Sequence, residues 1–352
     1  MSQPPAIPLT ASPPVARISA PSTTPHRRLR ATIDVLRRGL GFGAFDLEQA
    51  AALGVSPDRV QRACAVGLLV RVGRGWYAVD TGNTVAGLDV ASRGRLHALG
   101  ARESDVVLCG TSAAAVWGLP LPPGLADVRR LEVLAQDPDA PWGGRRRYET
   151  VRRWQASGAF VVEGPHGGRL TDPLQTAIDL GRGLPLPFAL VALDAAMALS
   201  QQFGLPPEVV RDLLEERAAA ARRGRGLRGV LEATAYADPR AESPLESIVR
   251  GRIIEAGLPT PAVQVNVTGV SGRPYRADLG MRIAGDPPGT TRLLIEADGL
   301  GKYGDASDLA EEKRRQHDLE RNGHPFVRVL YGEAVHAPVN FIGAVATIIA
   351  GG

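Results

Sequence analysis

The chain has 352 residues, 44% apolar and 22% charged, with a formal net charge of +4 and only two cysteines, Cys64 and Cys109. That length points to two or three domains with ordinary soluble cores, and the small positive balance leaves an anionic partner open. Two cysteines are too few for a disulfide framework or a four-ligand zinc site, no stretch approaches the roughly 18 apolar residues of a membrane span, and no charged start with an apolar core marks a signal peptide; a cytoplasmic protein is expected.

Residues 1–25 are rich in Pro, Ser, Thr and Ala without apolar periodicity and read as a disordered tail. A first domain spans 26–80. Helical spacing covers 26–40 and 45–53, and Ser56-Pro57-Asp58 is a helix start, with a capping hydroxyl, a proline suited to the first turn and an acid at the positive helix end. The helix that follows buries Val60 and Cys64 and exposes Arg59 and Arg62. Two alternating segments, 68–72 and 76–79, flank Gly73-Arg74-Gly75 and predict a hairpin with a basic tip. Helix, helix, turn, helix and a two-stranded wing make a winged helix-turn-helix. Nine arginines against four acids between His26 and Val79 suit double-stranded DNA, because arginine binds phosphate bidentately and reads guanine edges. Arg59 and Arg62 would enter the major groove, with Arg71 and Arg74 on the wing. A solvated surface in an arginine-biased chain is the plain alternative.

A middle region, 82–238, has strand patterns at 106–109, 131–135 and 160–163. Helical patterns follow at 172–181, 187–200 and 206–223, the first begun by Thr171-Asp172-Pro173. It is mixed α/β and shows no catalytic motif. The last region, 242–352, reads as an amphipathic helix at 244–256, strands at 262–267, 274–283 and 292–297, a helix at 308–321, a strand at 326–330 and a closing apolar helix near 341–350. Up to the last strand the order is αβββαβ.

Carboxylates gather in this region. Asp278 lies on its second strand, Glu296 and Asp298 end the third on one side, and Glu246 edges the first helix toward the sheet. Antiparallel pairing would bring Asp278 beside Glu296. Acids so placed repel unless a cation neutralises them, and hard oxygen donors suit Mg²⁺ or Mn²⁺. Plainer partners exist: Arg250 for Glu246, Arg276 or Arg282 for Asp278, and a turn role for Asp298 before Gly299. Of 41 basic residues only Lys302 and Lys313 are lysine, a retention expected where a compact titratable ammonium is needed. Arg315 and Arg328 would bind substrate backbone or satisfy carboxylates, and His317 reads as a solvated helix residue. Gly299-Leu300-Gly301 lacks the frame of a phosphate loop.

Two family resemblances follow from these residues. The run Phe45-Asp46-Leu47-Glu48-Gln49-Ala50, Gly54 and Val70-Arg71-Val72-Gly73-Arg74-Gly75-Trp76-Tyr77 resembles the N-terminal module of AbiEi-type antitoxins. The later Gly110-Thr111-Ser112-Ala113-Ala114 and Leu170–Leu180 extend that likeness to about residue 200. It implies operator-type DNA binding and, as partner, a cognate toxin or a second copy of the chain. Ser243-Pro244-Leu245-Glu246, Gln264, Arg276-Ala277-Asp278, Ile295-Glu296-Ala297-Asp298, Lys302-Tyr303, Glu312-Lys313-Arg314-Arg315 and Val327-Arg328-Val329 are similar to the PD-(D/E)XK nucleases, in particular to domains related to very-short-patch repair endonucleases.

The second resemblance implies a restriction-endonuclease-like fold with Asp278 and Glu296 as metal ligands, and Glu246 and Asp298 as further ones. Asp298 stands where that pattern has lysine, so Lys313, or else Lys302, would supply the ammonium. The expectation is a multidomain α/β protein: a winged helix-turn-helix, a mixed α/β middle domain and an αβββαβ nuclease-like domain acting as a Mg²⁺- or Mn²⁺-dependent DNA endonuclease. The alternatives are a non-catalytic antitoxin-like repressor with a degenerate nuclease fold, and a protein-interaction scaffold.

Overall fold

The computed structural model describes residues 29–36, 44–73, 75–79, 106–123, 125, 131–135, 149–153, 160–164, 169–221, 226–298 and 306–351. They fall into two compact units that divide between Asp179 and Leu180. Among the described residues no helix is long and apolar enough to cross a membrane.

The N-terminal unit begins with the winged helix. Helix α1 (29–36) precedes β1 (Ala44–Asp46), α2 (Leu47–Ala52), α3 (Pro57–Ala65), β2 (Leu69–Gly73) and β3 (Trp76–Val79). The three strands pair antiparallel in the order β1-β3-β2. Ile33 and Leu36 of α1, Phe45, Ala50, Val60, Ala63, Leu69 and Tyr77 close one core, so the helical period of α1 to α3 and the alternation of the wing point to the same interior. The sequence pattern does not announce β1. It is three residues long and ends at Asp46, whose carboxylate accepts from Gln49 N while the Gln49 amide oxygen accepts from Asp46 N, a reciprocal cap that starts α2. Ser56 precedes α3, but its hydroxyl makes no capping bond; the start rests on Pro57 and Asp58 instead.

The rest of this unit is a mixed sheet of order β6-β5-β4-β8-β7. Its strands are β4 (Val106–Leu108), β5 (Leu131–Ala135), β6 (Glu149–Arg153), β7 (Val161–Glu163) and β8 (Arg169–Thr171), with α4 (Gly110–Trp117) between β4 and β5. The Glu132 carboxylate accepts from Thr111 N at the start of α4, a negative charge at a positive helix end. Asp172 accepts from Gln175 N and begins α5 (Pro173–Gly181), as expected.

The C-terminal unit opens with α6 (Leu186–Gln202), α7 (Pro207–Ala221) and α8 (Arg228–Thr234). There follow α9 (Pro244–Glu255), β9 (Ala262–Thr268), β10 (Pro274–Met281), β11 (Leu293–Asp298), α10 (Ala306–Arg321), β12 (Phe326–Leu330), α11 (Tyr331–His336) and α12 (Val339–Ile349). The expected αβββαβ order is present from α9 to β12. The sheet order is β12-β11-β10-β9; β11 and β12 are parallel and the other pairs antiparallel. All six residues of β11 are buried, as an apolar central strand covered on both faces requires. Leu245, Ile248, Val249 and Ile253 of α9 pack on one face with Leu279, Met281 and Ile295; Leu319 of α10 packs on the other with Ala277 and Leu294. The Asp318 carboxylate accepts from Ser271 N at 2.9 Å, Ser271 Oγ at 2.6 Å and Tyr275 Oη at 3.0 Å, which latches α10 to the β9–β10 hairpin.

Helix α9 departs from the amphipathic helix read in the sequence. It is buried continuously from Leu245 to Gly251, because α6 covers the side turned away from the sheet. A Cβ on Gly251 would stand 2.4 Å from the Pro187 Cα, so glycine permits that approach. The covered side carries a charge: Arg250 Nη2 meets Asp194 Oδ2 at 2.6 Å, with both side chains 2% exposed. Asp194 also accepts from Ser247 Oγ at 2.7 Å and Asp238 N at 2.8 Å, and Arg250 Nη1 donates to Tyr236 O. Burial pushes the Asp194 carboxyl above its ordinary value, and Arg250 with the other donors pulls it back.

Asp194→Asn leaves Arg250 buried without its countercharge and is expected to cost about 3–5 kcal/mol in chemical denaturation; the double variant Asp194→Leu/Arg250→Met, which removes both charges, costs far less.

Candidate functional site

The acids of the C-terminal unit are set by three elements. Ser243 Oγ accepts from Glu246 N at 3.2 Å and starts α9 with Pro244 in its first turn. That places Glu246 in the first turn, 5% exposed, where Oε2 accepts from Glu242 N at 2.9 Å and from Gln264 Nε2 at 2.8 Å. Burial first, and the neighbouring charge of Asp278 second, push its carboxyl up to about 7, against the pull of those hydrogen bonds.

Gln264 is the position through which β9 changes face. Its φ is +54°, a left-handed backbone seen at no other described non-glycine residue, and such strain costs roughly 1–3 kcal/mol. Val263 before it belongs to the core beneath α9, whereas Val265 and Val267 after it belong to the core with Leu319 of α10. On β10 the same exchange occurs between Leu279 and Ala277. The pairs Val263↔Leu279 and Val265↔Ala277 flank it, so Gln264 lies across from Asp278 where the sheet turns over. On the far side, the ladder with β11 runs from Met281↔Leu293 to Leu279↔Ile295, and beyond it Asp278 Oδ2 accepts from Ala297 N at 2.9 Å.

Glu296 and Asp298 face arginines. Arg315 Nη2, on α10, donates to Glu296 Oε1 and, at 2.9 Å, to Arg276 O. Arg328 on β12 lies beside Glu296 in the parallel ladder, and its Nη1 reaches Asp298 Oδ2 at 3.0 Å. The plainer partners drawn from the sequence are engaged elsewhere: Arg250 with Asp194, Arg276 with Glu242 at 2.7 Å, and Arg282 with Asp286 O at 2.9 Å. Lys302 lies outside the described residues; Lys313 lies on α10, its side chain outside them. His317 is exposed.

Among the described residues no three His, Cys, Asp or Glu side chains stand grouped as a cage for an ion. The donor set nevertheless suits a hard divalent cation. Mg²⁺ commonly takes one or two carboxylates and leaves its other positions to water and phosphate; Glu246, raised first by burial and second by the charge of Asp278, and Asp278 itself are the two carboxylates such an ion would use.

In the winged helix, Arg59 and Arg62 are exposed on α3 and Arg71 is exposed on β2. Arg62 pairs with Asp58 one turn earlier, both exposed. Arg74 lies outside the described residues.

Two residues that organise the acidic site escaped sequence reasoning. Asp194 left a signal, a lone charge inside the apolar run Leu186–Ser200. Gln264 appeared only as a matching letter, since nothing in its neighbours announces a left-handed backbone.

Comparison with known proteins adds three findings. Residues 34–79 match a family described as "Transcriptional regulator, AbiEi antitoxin". The chain is 30% identical over 278 residues, 77% of its length and 89% of theirs, to the uncharacterized proteins Rv2248 and MT2308 of two Mycobacterium tuberculosis strains. The crystal structure of the RV2827C protein from Mycobacterium tuberculosis aligns with 68% of this chain and 88% of its own at a TM-score of 0.31 and 15% identity.

In metal-free buffer the raised Glu246 carboxyl makes stability pH-dependent. Below pH 4.5 it is protonated in the folded and unfolded chain alike; between 4.5 and about 7 the unfolded chain ionises first, and stability falls on the order of 3 kcal/mol across that window. Glu246→Gln keeps an acceptor for Gln264 and removes this loss, so its unfolding free energy, measured against wild type from pH 4 to pH 8, is expected to gain progressively as pH rises.

Proposed function

The chain belongs to the family of the Mycobacterium tuberculosis proteins Rv2248 and MT2308, and on that premise we propose that it is a DNA-binding transcriptional regulator of the AbiEi antitoxin kind. The observation that carries this reading is the match of residues 34–79 to that regulator family in a segment whose helix α3 leaves Arg59 and Arg62 exposed on a winged-helix frame. In this reading α3 enters the major groove of double-stranded DNA, the wing carrying Arg71 and Arg74 grips phosphate, and Arg62 exchanges Asp58 for a phosphate on binding. A cognate toxin, or a second copy of the chain, is the protein partner.

A second reading is favoured by one observation in the C-terminal unit: Asp278 Oδ2 accepts from Ala297 N, next to Glu296 on β11, and the charge of Asp278 acts on the buried Glu246 carboxyl. In this reading the unit is a PD-(D/E)XK-like domain and a Mg²⁺- or Mn²⁺-dependent DNA endonuclease. Asp278 and Glu296 would hold the ion, assisted by Glu246 and Asp298. When bound, it supplies water activation and neutralises charge on the phosphodiester. Arg315 and Arg328 orient Glu296 and Asp298, and Lys313, or Lys302 in its stead, supplies the ammonium that steadies the attacking water.

Fluorescence anisotropy on duplexes from the protein's own promoter region tests the first reading. Binding should weaken steeply with salt, and Arg59→Ala/Arg62→Ala should lower affinity at least tenfold and make the log–log salt slope shallower by about 2. Absent or salt-insensitive binding would leave a protein-interaction scaffold as the surviving alternative.

Supercoiled plasmid with Mg²⁺ or Mn²⁺ tests the second. Nicking or linearisation by wild type, lowered at least a hundredfold by Glu296→Ala and Lys313→Ala, is the expected outcome. Intact plasmid in every lane beside salt-sensitive binding leaves the regulator with a non-cutting nuclease-like domain.

A further inference from the structure

The left-handed backbone of Gln264 is satisfied most cheaply by glycine, and next by asparagine, whose short side chain tolerates this conformation. A glutamine there carries strain, and its side chain is the part that a glycine would lose. That side chain does one thing the structure records: its amide donates to Glu246 Oε2 at 2.8 Å. The acceptor already takes Glu242 N at 2.9 Å, so Glu246 is gripped from the turn before α9 and from β9 at once. Gln264 also sits across the ladder from Asp278, between the flanking pairs Val263↔Leu279 and Val265↔Ala277. One residue therefore performs two tasks: its backbone turns the sheet over, and its side chain holds the carboxylate on which the charge of Asp278 acts.

We infer that Gln264 is a positioning residue for a divalent cation, holding Glu246 against Asp278 so that their carboxylates serve one ion. The inference rests on the second reading above and deepens it. Residues that orient a ligand through hydrogen bonds commonly govern ion affinity by 10- to 100-fold. The two tasks separate by substitution. Gln264→Gly relieves the backbone and removes the amide; Gln264→Asn keeps an amide and a residue suited to the left-handed region, but is one methylene too short to reach Glu246.

Mn²⁺ binding to the full chain, followed by calorimetry and by the electron paramagnetic resonance of free Mn²⁺, provides the test, with thermal unfolding of each variant alongside. Both variants are expected to unfold at or above the wild-type temperature while losing at least tenfold in Mn²⁺ affinity, which a merely structural glutamine would not produce. Wild-type affinity in both variants overturns the positioning role and leaves the metal reading standing. Wild-type protein that binds no Mn²⁺ overturns the metal reading, and this inference with it.

Discussion

The C-terminal unit is organised around one buried ion pair. Asp194 on α6 and Arg250 on α9 meet where neither is more than 2% exposed, and the same carboxylate takes Ser247 Oγ and Asp238 N. Two buried charges gain little over a well-packed apolar pair, but they admit few geometries, since each must keep its partner and its hydrogen bonds. Here the constraint joins α6, α9 and the turn that leads into α9. With Gly251 allowing the helices to touch at Pro187, the rotation and height of α9 are set, and with them the position of Glu246.

What reaches the acidic site is thus a consequence of packing some distance away. α9 presents Glu246, the left-handed turn of β9 presents Gln264, and β10 presents Asp278 where the two strands exchange faces. Beyond β10 the arrangement changes character, with Glu296 and Asp298 each meeting an arginine. Arg315 is carried by α10, which the Asp318 latch ties to the β9–β10 hairpin. One acid pair under mutual repulsion therefore lies beside two acids matched by guanidinium groups.

These two halves bear differently on function. A regulator acting through α3 and its wing needs nothing from the carboxylates, and the arginine pairs then stabilise a fold. A nuclease would need a cation at acids that, among the described residues, do not stand grouped as a cage, and Arg315 already meets Glu296. The antitoxin-type module, residues 34–79, is common to both readings and supplies contact with DNA in each.

Much of this was legible in the sequence, for reasons that are local. Pro57 with Asp58 and Asp172 with Pro173 mark helix starts, the alternation of β9 and β10 marks strands, and the apolar run of β11 marks a covered centre, because each signal lies within a few residues of the element it announces. Asp278, Glu296 and Glu246 were recognisable as acids on the second strand, the third strand and the first helix of that order. The sequence by itself thus determined the order of the elements from α9 to β12 and which of them carry the acids, while β1, β6, α4 and α11 left no pattern of their own. Only the tertiary structure decided which arginine each acid meets, that α9 is covered on both sides, and that Gln264 adopts a backbone its own letter disfavours. The physical reason is range: Arg250 and Asp194 are 56 residues apart in the chain, and a partner chosen by packing over that distance leaves no periodic trace beside either residue.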